Sequence, residues 1–254
     1  TFALLLSNQH VAIVVFRGTR VLGLQDPLAF RDSVSPHLGD VVTDIKFRHV
    51  PFGQGQVHRG FAAAYNAVAQ EVTERLELHV EAGRAIWFAG HSLGGALATL
   101  AAAQFGLDRC RALYTFGCPR VGDAAFSAVF DQGNYFRFVH HGDFVARVPP
   151  PRIFGAPSGY THPGRLVYID RDGSVSLDAD PSRVSDLFEG RVDWKAVMAR
   201  IGSRFRDAIE VAKVGPPARL LDLRIPRGAI TDHAPIYYAS FLKEQLANEQ
   251  NAKG

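Results

Sequence analysis

The chain has 254 residues, of which 47% are hydrophobic and 21% are charged, and this composition excludes a disordered protein. The length suits one large α/β domain spanning residues 1–254. The formal net charge of +3 is small and no block of Lys or Arg residues occurs, which excludes nucleic acid as an expected partner.

Predicted strands and helices alternate along the chain. In chain order they are a strand at 10–16, a long connection at 21–43, a strand at 44–49, a helix at 60–81, a strand at 84–89, a helix at 95–103, a strand at 112–116, a helix at 123–130, a strand at 135–139, a hairpin at 166–177 and helices at 193–213 and 234–248. This alternation predicts an α/β protein with a predominantly parallel central sheet and helices on both faces.

The residues Gly90-His91-Ser92-Leu93-Gly94 match the Gly-x-Ser-x-Gly pattern of a nucleophile elbow. The pattern lies between a predicted strand and a predicted helix, so the chain must turn tightly at Ser92. Glycines are required on either side because side chains there would collide with the strand and the helix. The turn lifts the Ser92 hydroxyl clear of the backbone at a helix N-terminus, where amide dipoles favour the charge that develops in acyl transfer. We therefore predict that Ser92 is a catalytic nucleophile.

A serine nucleophile needs a histidine that removes its proton and a carboxylate that orients this histidine. In α/β-hydrolases the acid follows the serine in the chain and the histidine comes last. Three acids directly follow predicted strands, namely Asp143, Asp170 and Asp178. Asp143 is favoured because it precedes Val148-Pro149-Pro150, whose prolines would hold the loop still. Asp170 lies in a predicted hairpin turn, where a solvated aspartate is usual.

Four histidines follow the serine, at His140, His141, His162 and His233. His233 lies at the start of the last predicted helix, from which its imidazole could reach Ser92, and it is the predicted base. The first two lie too close to Asp143 in sequence to be oriented by it. With the third, they are interpreted as surface or hydrogen-bonded core histidines. His91 is predicted to be a packing residue.

Several blocks of the chain together resemble the fungal-type class 3 lipase family. They are Val15-Phe16-Arg17-Gly18-Thr19, Val57-His58-Arg59-Gly60-Phe61, Gly90-His91-Ser92-Leu93-Gly94-Gly95, Thr115-Phe116-Gly117-Cys118-Pro119-Arg120-Val121-Gly122, Gly142-Asp143 with Val148-Pro149, and Asp232-His233. The blocks occur in the family's order and extend over nearly the whole chain. The resemblance implies an α/β-hydrolase fold with a lid segment.

The resemblance also implies the roles of five residues. Ser92, Asp143 and His233 would form the catalytic triad. Thr19 and the backbone N–H of Leu93 would form the oxyanion hole. This is physically reasonable, since Thr19 ends a turn in which a glycine lets the backbone pass close to a substrate. Losing one oxyanion donor typically costs ~3 kcal/mol of transition-state stabilisation.

Two features depart from the family's pattern. Val41-Val42-Thr43 precede Asp44 where members of the family often carry a Trp, and the connection at 21–43 is longer than the short helical lid of the fungal enzymes. Its many apolar side chains would be costly to expose in water and favourable at an oil surface. We expect residues 21–43 to form a lid over Ser92, with the helix at 193–213 as a further candidate.

These observations favour a carboxylic ester hydrolase, specifically a triacylglycerol lipase that forms an acyl-enzyme. The alternative is a phospholipase A1 or a small-ester esterase such as a feruloyl esterase. A non-catalytic lipase-like interaction domain is a remote alternative, because it would be free to lose the serine, the acid or the histidine. No cofactor and no metal are expected. The expected partner is a lipid or other ester substrate at a lipid–water interface, and we expect a monomer.

The cellular compartment is indicated only indirectly. Cys110 and Cys118 bracket the strand at 112–116, which separates them by more than about 20 Å. A disulfide needs Cα atoms about 5.5 Å apart, so free thiols are predicted. The uncharged stretch at 85–107 contains a histidine, a serine and several glycines, so no transmembrane segment is predicted. The chain starts at Thr1 without an initiator Met, and we favour secretion over a cytoplasmic location.

Overall fold

The computed structural model describes residues 3–18, 48–153, 156–179, 232–235, 237–240 and 243. The expected lid at 21–43, the helix at 193–213 and Thr19 lie outside the described residues. Of the last predicted helix, residues 235, 237–240 and 243 are described and are helical.

The described strands and helices follow the predicted alternation. The strands are β1 (Ala3–Ser7), β2 (Val11–Phe16), β3 (His49–Phe52), β4 (Gly55–His58), β5 (Ala85–His91), β6 (Cys110–Phe116), β7 (Tyr135–His140), β8 (Arg152–Ile153), β9 (Ala156–Pro157), β10 (Arg165–Ile169) and β11 (Val175–Leu177). The helices are α1 (Arg59–Asn66), α2 (Ala69–Glu81), α3 (Leu93–Phe105) and α4 (Ala124–Ala128), and a 3₁₀ turn covers Val145–Arg147.

The largest sheet has seven strands in the order β1-β2-β5-β6-β7-β10-β11. The five inner strands are parallel, while β1 and β11 pair antiparallel to their neighbours. The predicted α/β fold with a predominantly parallel sheet is therefore confirmed. Among the described residues, no helix is both long enough and apolar enough to cross a membrane.

The two faces of this sheet are packed differently. On one face β2 and β5 bury alternate residues, including Phe16, Ile86 and Phe88, against α3, whose small side chains are nearly all buried. The other face carries stacked aromatic rings, with Tyr114 lying between Trp87 and Phe136. The described end of the chain packs on this aromatic face, where the Tyr238 ring contacts Phe116 edge-on at 6.0 Å. Helical segments thus cover both faces of the sheet.

One local prediction is wrong, and one pair of strands was missed. The helix at 60–81 is broken into α1 and α2, because the Val68 N–H turns back to the Tyr65 carbonyl at 2.9 Å. The break leaves the apolar spacing almost unchanged, so the sequence pattern hides it. The hairpin β3–β4 was not predicted, since its strands have only four residues each.

The parallel strands place their carboxyl ends at one edge of the sheet. Gly18 follows β2, Ser92 follows β5, Gly117 follows β6, and Asp143 lies three residues beyond β7. Ligands of open α/β sheets bind at this edge. The fold therefore gathers the candidate residues from four separate strands.

Candidate active site

Ser92 lies in a tight turn between β5 and α3. Its φ of 57° and ψ of −130° are angles that residues other than glycine rarely adopt. A Cβ atom on Gly90 would overlap the carbonyl of Gly94, and one on Gly94 would overlap the carbonyl of Phe16. The two glycines of the elbow are thus required by close backbone approach, as the sequence predicts. The serine itself is only 7% exposed, so it is more enclosed than the elbow pattern alone indicates.

The end of β2 lies directly against this turn. A Cβ atom on Gly18 would lie 2.8 Å from the His91 carbonyl oxygen and 3.5 Å from Cβ of Ser92. Thr19 is the next residue, although it lies outside the described part of the chain. Leu93 is the first residue of α3, where an amide has no acceptor within the helix. The residue before Thr19 therefore lies against the serine turn, and Leu93 begins the helix that follows it.

Asp143 and His233 form a buried pair. His233 Nδ1 lies 2.9 Å from both carboxylate oxygens, and the two residues are 2% and 0% exposed. A carboxylate only accepts, so Nδ1 carries the proton and Nε2 has a lone pair for another proton. The Val145 N–H also donates to Asp143 Oδ1 at 2.8 Å. The structure thus brings the predicted acid and the predicted base into one hydrogen-bonded unit.

The pKa of Asp143 lies below its usual value. Burial alone would raise it, but the electrostatic interaction with His233 and hydrogen bonds from His233 and Tyr238 outweigh that effect. The carboxylate is therefore ionised at neutral pH and can orient the imidazole.

Gly117 makes room for this pair and was not singled out from the sequence. Its φ is +54°, and a Cβ atom there would lie 2.5 Å from Asp143 Oδ2 and 2.7 Å from His233 Nδ1. Only a glycine fits both the angle and the space. The sequence feature that could have identified Gly117 is the Gly117-Cys118-Pro119 turn, which follows a predicted strand.

His91 and Tyr238 contact the pair directly. His91 Nε2 donates to the backbone carbonyl of His233 at 2.9 Å, and the two rings are in tilted contact with their centroids 4.5 Å apart. Burial, and next the electrostatic interaction with His233, lower the pKa of His91 to about 3, so its ring is neutral. The Tyr238 hydroxyl donates to Asp143 Oδ2. His91 was predicted to be a packing residue, and the structure adds a polar contact to that role.

The other candidate histidines and acids have different partners. His140 Nδ1 donates to the Asp232 carbonyl at 3.0 Å, and His162 Nε2 donates to the Ala146 carbonyl at 2.8 Å. His141 Nδ1 lies 3.5 Å from Asp170, and Asp178 binds Arg165 in an exposed ion pair. Among these candidates, the hydrogen bonds of the described residues join only His233 to Asp143.

Residues 141–150, which we call the acid loop, are held by buried cations. Arg120 donates to the carbonyls of Arg147 and, at 2.8 Å, Pro149, while Arg147 donates to the carbonyl of His141 at 2.9 Å. Burial, and next the charge of Arg147, lower the pKa of Arg120 to about 10, which leaves it charged at neutral pH. The loop that carries Asp143 is thus anchored by side chains from outside and inside it.

Comparison with known proteins identifies the class of this arrangement. Residues 13–153 match the family described as lipase (class 3), which is more than half of the chain, so the chain belongs to the class 3 lipase family. It is 38% identical over 133 residues to a secreted mono- and diacylglycerol lipase of Fusarium solani, covering 50% of this chain and 38% of that protein. It is 31% identical over 168 residues to secreted mono- and diacylglycerol lipase A of Penicillium cyclopium, covering 63% and 52%.

A solved structure agrees with this membership. The triacylglyceride lipase of Rhizomucor miehei superposes with a TM-score of 0.57 at 26% identity, over 74% of this chain and 70% of that one. The predicted α/β-hydrolase fold and the predicted family are confirmed. The chain spans about half or less of the length of these curated relatives.

Proposed function

We propose that the protein is a carboxylic ester hydrolase that acts on lipid esters through Ser92, His233 and Asp143. The observation that carries the proposal is the buried Asp143–His233 pair at 2.9 Å. The ring of His91, the residue before Ser92 in the strained elbow, is tilted against the His233 ring with the two centroids 4.5 Å apart. An oriented imidazole next to such a serine is the arrangement of acyl-transfer hydrolases.

The course of the proposed reaction follows from which nitrogen of His233 carries a proton. His233 Nε2 takes the proton of the Ser92 hydroxyl as the oxygen attacks the acyl carbonyl, and it then gives this proton to the leaving alcohol. Asp143 stays ionised, holds the Nδ1–H tautomer and stabilises the imidazolium. Water repeats the cycle on the acyl-enzyme and releases the fatty acid.

The negative charge on the substrate oxygen needs donors. We assign this role to the amide of Leu93, at the N-terminus of α3, and to Thr19, which follows Gly18 at the elbow. Donors preorganised at the place where charge develops supply a large part of the rate enhancement.

The proposed substrate is a triacylglycerol. The name of the Rhizomucor miehei relative supports this choice, whereas the names of the Fusarium and Penicillium relatives favour mono- and diacylglycerols as a second candidate. We also propose a secreted monomer acting at a lipid–water interface, with secretion supported by the names of the same two relatives.

The test compares wild type with Ser92→Ala on emulsified tri-, di- and monoacylglycerols and on p-nitrophenyl esters of increasing chain length. We expect S92A to lose nearly all activity and a fluorophosphonate to label wild type but not S92A. Turnover by S92A close to that of wild type would refute the serine mechanism. Activity confined to short soluble esters, or to phospholipids, would replace the acylglycerol assignment with the esterase or phospholipase A1 alternative.

A further inference from the structure

The Tyr238 hydroxyl lies between two groups that the proposed reaction depends on. It accepts a hydrogen bond from the His140 N–H at 3.0 Å and donates one to Asp143 Oδ2. The residue is 3% exposed, so water does not compete for either bond. A hydroxyl has a single proton, and because one partner is a donor, that proton must point to Asp143.

The Tyr238 ring is fixed on the aromatic face of the sheet. Its centroid lies 6.0 Å from Phe116, 5.9 Å from His91 and 6.0 Å from His140, edge-on in all three contacts. Edge-to-face contacts of this kind fix a ring's orientation as well as burying it. The hydroxyl therefore has one defined direction.

Tyr238 completes the set of donors around the acid. The amides of Val145 and Ala146 donate to Oδ1, Tyr238 donates to Oδ2, and His233 Nδ1 lies at equal distance from both oxygens. Each donor takes a share of the carboxylate's negative charge. Without Tyr238, Oδ2 would have only His233 among these partners.

We propose that Tyr238 is a positioning residue of the reaction, which fixes the plane of the Asp143 carboxylate and limits how strongly that carboxylate holds a proton on His233. The inference rests on the proposed function. Burial, and next the negative charge of Asp143, hold the pKa of Tyr238 well above its usual value, so the phenol remains a donor at every working pH.

His233 and Tyr238, which both contact Asp143, lie on the same segment of the chain. Tyr238 lies five residues after His233, and the segment is also bound through the carbonyl of Asp232 to His140 and through the carboxylate of Asp232 to the Gly142 N–H at 3.1 Å. When this segment packs against the sheet, it therefore brings both the His233 imidazole and the Tyr238 hydroxyl to Asp143.

A pH profile reports the proposed effect. Among the described residues, the titratable or charged groups that interact with the Asp143–His233 pair are His91, Cys118, Arg147, Asp232 and Tyr238. Removing one donor from a carboxylate leaves more negative charge for its remaining partner, which favours the protonated imidazole. The acidic limb of kcat/KM should then move to higher pH.

The experiment uses the nearly isosteric variant Tyr238→Phe, with Tyr237→Phe as the matched control. Tyr237 is the adjacent residue, and its ring stacks on His140 at 5.5 Å, so Y237F also removes one hydroxyl and keeps one ring. For Y238F we expect the midpoint of the acidic limb to rise by several tenths of a pH unit, kcat to fall about 10-fold and KM to stay within about twofold. Y237F should keep the wild-type profile.

A second substitution moves the profile in the opposite direction. Replacing Tyr238 with 3-fluorotyrosine keeps the shape and makes the phenol a stronger donor, so the acidic limb should move to lower pH. An unchanged midpoint in both Tyr238 variants, or an equal shift in Y237F, would overturn the proposal. Titration with a fluorophosphonate separates this failure from failure of the proposed function, because Y238F retains a Ser92 that can be labelled whatever its pH profile.

Discussion

At the scale of single residues, the candidate base is held by its backbone as well as by its ring. His91 donates to the carbonyl of His233, and His140 donates to the carbonyl of the preceding residue. Because a carbonyl can only accept, each contact fixes which ring nitrogen carries the proton. Two imidazole donors thus hold consecutive peptide units while His233 Nδ1 remains with Asp143.

Two variants of His91 separate its hydrogen bond from its ring. His91→Phe keeps an aromatic ring beside His233 and loses the donor, whereas His91→Gln keeps a donor and loses the ring. We expect kcat of H91F to fall about 10-fold at nearly constant KM, because the base is then less well positioned, and H91Q to recover most of that loss. Steady-state kinetics on a soluble p-nitrophenyl ester measures both. A kcat close to wild type in H91F together with a loss in H91Q would instead assign His91 to ring packing.

The residues that were predictable are those with a local sequence signature. Ser92 lies in a pentapeptide with two obligatory glycines, and Asp143 follows a strand and precedes two prolines, so both stand out in the sequence. Tyr238 does not, because a tyrosine on the inner side of a helix has the same pattern whether or not its hydroxyl has a polar partner. The tautomer and the partners of His91 likewise depend on contacts 142 residues away.

At the scale of elements, the strands were predictable because a buried parallel strand is a continuous apolar run bounded by turns. The break between α1 and α2 was not, because Tyr65 and Val72 both face the core on either side of it and keep a helical spacing. For the acid loop, only the prolines in the sequence indicated that the loop is held still. Its anchoring by Arg120 depends on a residue outside the loop.

Arg120 should be sensitive to a substitution that keeps its charge. Arg120→Lys cannot reach two carbonyls in one fixed geometry, so it leaves a buried acceptor without a donor. We expect R120K to lower the free energy of unfolding by about 1–3 kcal/mol and to reduce kcat through displacement of Asp143. Urea unfolding and kinetics measure the two effects. The control is Arg109→Lys, whose partner Glu77 lies at the surface, and equal stability of the two variants would contradict the anchoring role.

At the scale of the whole molecule, two histidines with lowered pKa values make the free energy of unfolding fall as pH is lowered. Burial lowers the pKa of His91 to about 3 and that of His162 well below its usual value. Below about pH 6.5 these two histidines therefore bind protons in the unfolded chain more readily than in the folded chain, and this difference favours unfolding. The lowered pKa of Asp143 acts in the same direction, since its stabilisation is also lost as pH falls.

We expect the urea midpoint of unfolding to fall as pH is lowered from about 7 to about 4, with most of the stability present above the usual pKa of histidine. His162→Gln keeps a donor for the Ala146 carbonyl and removes the group that must be protonated, so its midpoint should depend less on pH. The exposed His10 provides the control as His10→Gln. A wild-type slope in H162Q would show that its burial is not a source of the acid sensitivity.

The hydrogen bond between Asp143 and His233 joins residues 90 positions apart. Closing so long a loop costs conformational entropy, and the bond that closes it lies at the edge of the sheet rather than in its core. We therefore expect a local opening that detaches the segment around His233 while all seven strands stay paired. Inactivation and unfolding are then two separate events, and the protein would lose its base well before it loses its fold.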